Sequence, residues 1–486
     1  MTPQHAPKQG QAAAGTRTWH AELAWLPGVG VLPDVLIEAS GDRFTRITQR
    51  QPAAGLPGGT IRLAGLTMPA LANAHSHAFH RALRGTAQAG GGTFWTWRER
   101  MYQVAAKLDP DSYLALARAV YAEMALAGVG CVGEFHYLHH APGGTGYADP
   151  NAMGRAVVEA AAEAGIRITL LDTCYLSGGL GADGAPVPLA GPQLRFGDGT
   201  AHAWAERVGS LGADSHGMLG PAARVGAAIH SVRAVPPGQM RTVAAWTHSS
   251  GAPLHVHLSE QVAENDACLA AYGATPTAVL YEAGVLGPRT SVVHATHLTS
   301  ADIGLLGGSE VFACVCPTTE ADLADGIGPF GALAAAGCRL TVGSDSQAVI
   351  DLFEEARRVE MYERLTSMRR GHFTAEALGS ALTWDGHASL GWPEAGEIAP
   401  GSLADLVTVA LDSPRLAGAA GRTGTAALRD GGPPDLAALQ AVIFAAGPAD
   451  VRNVVIGGRD VVAGGEHQLV PDVAAALSAA VLAVAD

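Results

Sequence analysis

His75, Ser76 and His77 close an apolar run, LTMPALANAHSHAFHRALRG, that spans Leu66 to Gly85. On an extended strand, residues i and i+2 point to the same side. Two imidazoles at the end of a buried strand therefore make half of a metal site, since neutral imidazole ligates zinc and iron readily. The other chemistry-bearing residues also sit where apolar runs end. VGCVGEFHY ends in Glu134, His136 and Tyr137, and AAIHSVR ends in His230 and Arg233. HVHLSE ends in His257 and Glu260, VVHATH holds His294, and TVGSDS holds Asp345. Each unpaired buried polar group costs roughly 1–3 kcal/mol. Packing alone does not explain five such run ends.

Three histidines and a carboxylate suit one zinc or ferrous ion with a bound water. Such an ion lowers the pKa of the water toward neutrality, so that hydroxide becomes available. Glu260, three residues after His257, and His294 fit proton-transfer roles. His255 is expected to be buried below the layer of His257. A dinuclear centre on the barrel expected below commonly needs a carboxylated lysine as a bridge. Lysine occurs only at Lys8 and Lys107, neither on an expected barrel strand, so a single ion is expected.

The elements that must position these residues alternate. Strand-like apolar runs are followed by stretches with helical spacing, beginning with DPDSYLALARAVYAEMALAG, where Asp109 and Pro110 open a helix and Gly128 closes it. Eight such strands follow one another. Each is nearly continuous in apolar residues, as strands buried on both faces are. The pattern predicts an α/β fold, a closed (β/α)8 TIM barrel over residues 66–397, with chemistry at the C-terminal ends of its strands. Residues 19–65 and 398–486 carry further strand-like pieces, expected to pair as a small β-sandwich. Residues 1–18 read as a disordered leader. GGTFWTWRERMY, Gly91 to Tyr102, reads as a loop, either a packed Trp cluster with solvent-facing arginines or a lid or substrate wall. Residues 176–200 form a long Gly/Pro-rich loop, a second candidate lid.

The chain has 486 residues, 48% hydrophobic and 16% charged, with net charge -14. That is ample for a large core and argues against a nucleic-acid surface. Six cysteines without a C-x-x-C pair read as buried free thiols in a reducing cytoplasm. No signal peptide is expected from MTPQHAPKQGQAAAG, which has no apolar core, and no membrane-length apolar run is read apart from a soluble-looking Ala-rich C-terminal tail. A cytoplasmic protein without membrane or nucleic-acid partners is expected.

HSHAF, HLSE, the histidine of VVHATH, GSDS and the later GEIAPGSLADLV together resemble the amidohydrolase superfamily, over about residues 60–410. Within it, HSHAFHRALRG, GTFWTWRERMY, GEFHYLHH and HSVRAV resemble the formimidoylglutamate deiminases of histidine degradation. The resemblance implies a mononuclear metal-dependent hydrolase of amidine C–N bonds, with zinc, or alternatively iron. It implies His75, His77, His257 and Asp345 as ligands, and Glu260, His294 and Asp345 as the proton-handling set. It implies Arg233, Tyr137, Arg98, His230 and His80 around a small dicarboxylate substrate, whose carboxylates arginine pairs with bidentately. Where that family carries Gln after HSHAF, this chain has His80. A homodimer is expected. The metal residues alone fit equally an aminohydrolase of purines, pyrimidines or triazines.

Overall fold

Barrel strand 1, Leu71–Ser76, is buried along its whole length and ends on the histidine pair. Strands 2 to 8 follow as Val129–His136, Arg167–Cys174, Ala223–Ile229, Leu254–Leu258, Thr290–His294, Phe312–Val315 and Arg339–Val342. In this computed structural model they form one parallel sheet in sequential order. Residues 15–86, 88, 91–181, 184–214, 220–418 and 435–485 are described.

The barrel closes where the chemistry sits. The Asp345 amide donates to the His75 carbonyl at 3.0 Å, and the His77 amide donates to the Asp345 carbonyl at 3.2 Å. Gly343 permits this approach, because a Cβ there would lie 2.7 Å from the Cβ of His75. Ser259, His294, Ala295, Asp345 and Gln347 all have positive φ. Such backbone costs roughly 1–3 kcal/mol per residue and collects at functional sites.

Strands from both ends of the chain combine, as expected, in a separate sheet of eight strands. Its order runs Glu466–His467, Arg459–Ala463, Val451–Ile456, Leu406–Val409, Ile61–Pro69, Thr16–Leu26, Gly30–Ser40, Arg43–Thr48. It is continuous and folds back on itself. The Phe44 amide donates to Ser402 at 2.9 Å and the Ala404 amide to Asp42 at 2.7 Å, around a core that includes Trp19, Ile37, Leu63 and Val455. Arg167, the first residue of strand 3, donates to both carboxylate oxygens of Asp405 at 2.7 and 3.0 Å. Gly128 and Gly130, before and within strand 2, lie against Val407 and Ile456. The terminal sheet thus docks at the N-terminal ends of the strands, away from the mouth.

Four expectations change. The apolar run from Leu66 serves two sheets. Ile61–Pro69 pairs with Leu406–Val409 in the terminal sheet, and only Leu71–Ser76 belongs to the barrel. The boundary set at residue 66 therefore falls inside a strand, since hydropathy does not break where both sheets bury the chain. Residues 398–486 add two helices to the expected strand pieces: Ala437–Ala445 and Val473–Ala485 pack on barrel helices Leu352–Ser367 and Pro110–Leu126. Most of the expected leader lies outside the described residues, but Thr16–Thr18 already pair with Glu38–Ser40. The expected loop at 91–102 is largely a helix, Phe94–Lys107. Its start is set by the Thr93 amide donating to Thr96 Oγ1 at 2.9 Å, and Phe94, Met101, Val104 and Ala105 are its buried residues. Among the described residues, no helix is long and apolar enough to cross a membrane.

Candidate active site

His75, His77, His257 and Asp345 converge, all buried. His77 Nδ1 lies 2.9 Å from the Phe135 carbonyl and His257 Nδ1 lies 2.9 Å from the His230 carbonyl. A carbonyl only accepts, so each Nδ1 carries the proton and each Nε2 offers a lone pair. His75 Nε2 stands 3.2 Å from His257 Nε2 and 3.3 Å from Asp345 Oδ1, which is 3.4 Å from His77 Nε2. Donors placed tetrahedrally at zinc–ligand lengths of roughly 2.0–2.1 Å stand about 3.3 Å apart. The donor set therefore fits one ion. Burial holds the imidazoles of His75, His77 and His257 below their ordinary pKa, in the neutral form that ligation requires. Burial alone would raise the Asp345 carboxyl, but His75, His294 and His77 hold it below the usual carboxylate range. A second trio, His294, Cys316 and Asp345, shares Asp345 with the first. Its thiol is pushed well up by burial and remains protonated, which makes it the poorer donor set.

Beside the four lies a second layer. His294 Nε2 is 3.7 Å from Glu260 Oε1 and 3.7 Å from Asp345 Oδ2. His294 Nδ1 lies 3.4 Å from Glu320 Oε1, which also accepts the Cys316 amide at 2.9 Å. Burial alone would lower the His294 imidazole, but Glu260, Glu320 and Asp345 around it hold it well above its ordinary pKa. Burial raises the Glu260 carboxyl to about 7, a value suited to exchanging a proton near neutral pH.

His77, His257, Glu260, His294 and Asp345 face a cavity whose wall also carries His80, Arg98, Tyr137, His230 and Arg233. Arg233 Nε donates to Glu264 Oε2 at 2.8 Å. The Arg98 guanidinium stacks 4.5 Å from the Trp95 ring and 5.6 Å from the Tyr102 ring. His80 Nε2 pairs with the Tyr137 hydroxyl at 2.9 Å, and burial lowers this imidazole to about 3, so it is neutral. His230 packs 4.3 Å from the Tyr175 ring.

The structure brings together every residue singled out for metal, proton or substrate. It separates two others read at the end of strand 2. Glu134 turns to Ser76 Oγ at 2.7 Å and the Ala78 amide at 2.6 Å, bracing the histidine turn. His136 packs against Tyr113 and His139. His255 is buried and bonds the Ser389 carbonyl at 3.2 Å, clear of the four. Phe94, Trp97, Met101 and Tyr102 of the cavity wall come from segment 91–102, for which a substrate wall was one reading; sequence reasoning missed Tyr175, Phe196 and Leu323. Tyr175, directly after strand 3, was the one that strand-end reading could have found. The loop read as structureless at 176–200 supplies Phe196, anchored by buried Arg195 donating to Ala105, Leu108 and His140 carbonyls.

Residues 66–461 match the model of the amidohydrolase family. The chain belongs to the amidohydrolase family. It is 36% identical over 457 residues to a formimidoylglutamate deiminase of Pseudomonas aeruginosa, covering 92% of this chain and 95% of that one. It is 33% identical over 369 residues to an 8-oxoguanine deaminase of the same species, covering 73% of this chain and 76% of that one. Among solved structures it is similar to an amidohydrolase from Brucella melitensis, with TM-score 0.84 and 30% identity over 97% of this chain and 100% of that one. The fold is also that of an adenosine deaminase from Xanthomonas campestris with bound zinc, with TM-score 0.77 and 23% identity over 96% of this chain and 97% of that one. This amidohydrolase is thus an enzyme that hydrolyses C–N bonds, with a His/His/His/Asp site for a divalent metal.

Proposed function

We propose that this amidohydrolase hydrolyses N-formimino-L-glutamate to N-formyl-L-glutamate and ammonia, as a step of histidine degradation. The observation that carries the reading is the pair of guanidiniums, Arg98 and Arg233, in the wall of the cavity that holds the candidate metal set. Two guanidiniums on one cavity wall match a dicarboxylate better than a neutral heterocycle. The 36% identity to a formimidoylglutamate deiminase supports it.

His75, His77, His257 and Asp345 would hold the ion, zinc in this reading and iron in the alternative. The ion, when bound, makes hydroxide available near neutral pH. Asp345 Oδ2, 3.7 Å from His294 Nε2, takes a proton from the attacking water. Glu260, with its carboxyl raised to about 7, delivers a proton to the imino nitrogen. A C–O bond forms at the formimino carbon as its C=N bond becomes single. The remaining proton of the water then passes from the new hydroxyl, by way of Asp345, to the nitrogen, the C–N bond breaks as C=O forms, and the nitrogen leaves as ammonia. Glu320 holds the Nδ1 proton of His294 and so keeps Nε2 turned to Glu260 and Asp345. Arg233, Arg98, Tyr137, His230 and His80 orient the carboxylates. Cytoplasmic location belongs to this reading, as buried thiols suit a reducing compartment.

The test is product analysis. N-formimino-L-glutamate should yield N-formyl-L-glutamate and ammonia in equal amounts. Ammonia from 8-oxoguanine or another purine, pyrimidine or triazine, with none from N-formimino-L-glutamate, would overturn the reading.

A further inference from the structure

Glu264 is the fourth residue after the strand-end Glu260, in the first turn of helix Val262–Tyr272, and is fully buried. Its two oxygens are both committed, to two different elements of the active site. Oε2 accepts from Arg233 Nε at 2.8 Å. Oε1 accepts the Ser259 amide at 3.0 Å. Ser259 lies between His257 and Glu260 and has φ 51°, a conformation that needs external support in a residue other than glycine. One carboxylate thus ties the guanidinium after strand 4 to the backbone that carries two candidate groups of strand 5.

The choice of nitrogen on Arg233 matters. A guanidinium has three faces for acceptors, and engaging Nε leaves the terminal edge with its two Nη groups. That edge pairs with a carboxylate through two parallel bonds. The Phe94 ring lies 5.9 Å from the Arg233 guanidinium carbon. Arg233 lines the cavity and Glu264 is not among its lining residues.

We propose that Glu264 is a positioning residue that sets which edge of Arg233 meets the substrate carboxylate, and that fixes this edge relative to His257 and Glu260. The inference rests on the reading that Arg233 binds a substrate carboxylate. It makes a prediction opposite in sign to simple charge counting. Removing a negative charge beside the guanidinium should, on electrostatics alone, tighten an anion. Removing the orientation should loosen it, and a misplacement of about 1 Å is worth as much as a hundredfold.

The experiment measures the dissociation constant of N-formyl-L-glutamate by calorimetry on the zinc-loaded full-length enzyme, with KM and kcat for N-formimino-L-glutamate alongside. Glu264→Gln should weaken N-formyl-L-glutamate roughly tenfold or more and raise KM by a larger factor than it lowers kcat. In an Arg233→Met background the same substitution should add less than about threefold, because the group it orients is gone. Equal or tighter binding by Glu264→Gln overturns the proposal. So does an undiminished loss in the Arg233→Met background, which would mean that Glu264 acts through Ser259 alone. If Glu264→Gln fails to fold, Glu264→Asp keeps the charge but withdraws it from Arg233. Weakened binding by that variant supports the proposal, and wild-type binding rejects it. If Arg233→Met alone leaves the affinity unchanged, the carboxylate reading of Arg233 falls and the inference with it. If Arg233→Met weakens binding and neither Glu264 variant does, only the inference falls.

Discussion

Replacing Arg233 by Met should separate binding from chemistry. The side chain is nine-tenths buried, its Nε is held by Glu264 at 2.8 Å, and its terminal nitrogens are free to pair with a carboxylate in the cavity. Two charge-assisted hydrogen bonds contribute roughly 1.5–3 kcal/mol each. The low end, about 3 kcal/mol together, corresponds to more than a hundredfold in binding. Methionine keeps much of the volume, so the cavity shape survives while the charge is lost. The reacting carbon is handled by other groups, so the loss should fall mainly on KM. The substitution also strands a buried carboxylate on Glu264, which still accepts the Ser259 amide but loses its cationic partner. A drop in melting temperature should therefore accompany the kinetic change. The assay is steady-state ammonia release from N-formimino-L-glutamate by the folded, zinc-loaded variant. A KM raised less than about threefold would refute the reasoning, as would a loss confined to kcat.

Three more outcomes follow from particular contacts. Glu260→Gln should lower kcat by roughly 10²–10⁴-fold while zinc content stays at the wild-type level, since Glu260 is outside the ligand set; loss of zinc would contradict this. Asp405→Ala leaves the Arg167 guanidinium buried and unpaired at the foot of strand 3. Unfolding in denaturant should show about 3–5 kcal/mol less stability, with ammonia kinetics near wild type. All six cysteines are buried and free, and burial pushes Cys268 up to about 12 and Cys338 up to about 11. A thiol reagent at pH 8 should label none of them in the native protein and all of them after denaturation.

The barrel and its mouth were legible because a parallel barrel has a simple signature. Strands such as VGCVGEF and LHVHL are buried on both faces, so they read as unbroken apolar runs, and polar residues at their ends stand out. Glu134 and His136 carried the same signature, yet they face away from Tyr137 of the cavity wall, because alternate strand residues take opposite sides. The boundary at residue 66 was hidden for a related reason. Ile61–Pro69 and Leu71–Ser76 are both apolar, and only pairing assigns them to different sheets. Helix Phe94–Lys107 was masked by the residues it turns to the cavity. Trp97, Arg98 and Tyr102 are turned to the cavity, so its apolar residues are not confined to one core-facing stripe. Glu264 had no local signal, as a glutamate in a first helical turn is ordinary. Its meaning comes from Arg233, 31 residues away.

The most direct test is ammonia release from N-formimino-L-glutamate by metal-stripped enzyme titrated with zinc. Four donors converging within reach of one ion predict activity that rises in proportion to zinc and levels off at one ion per chain. A plateau at two ions per chain, or full activity without metal, would contradict the account.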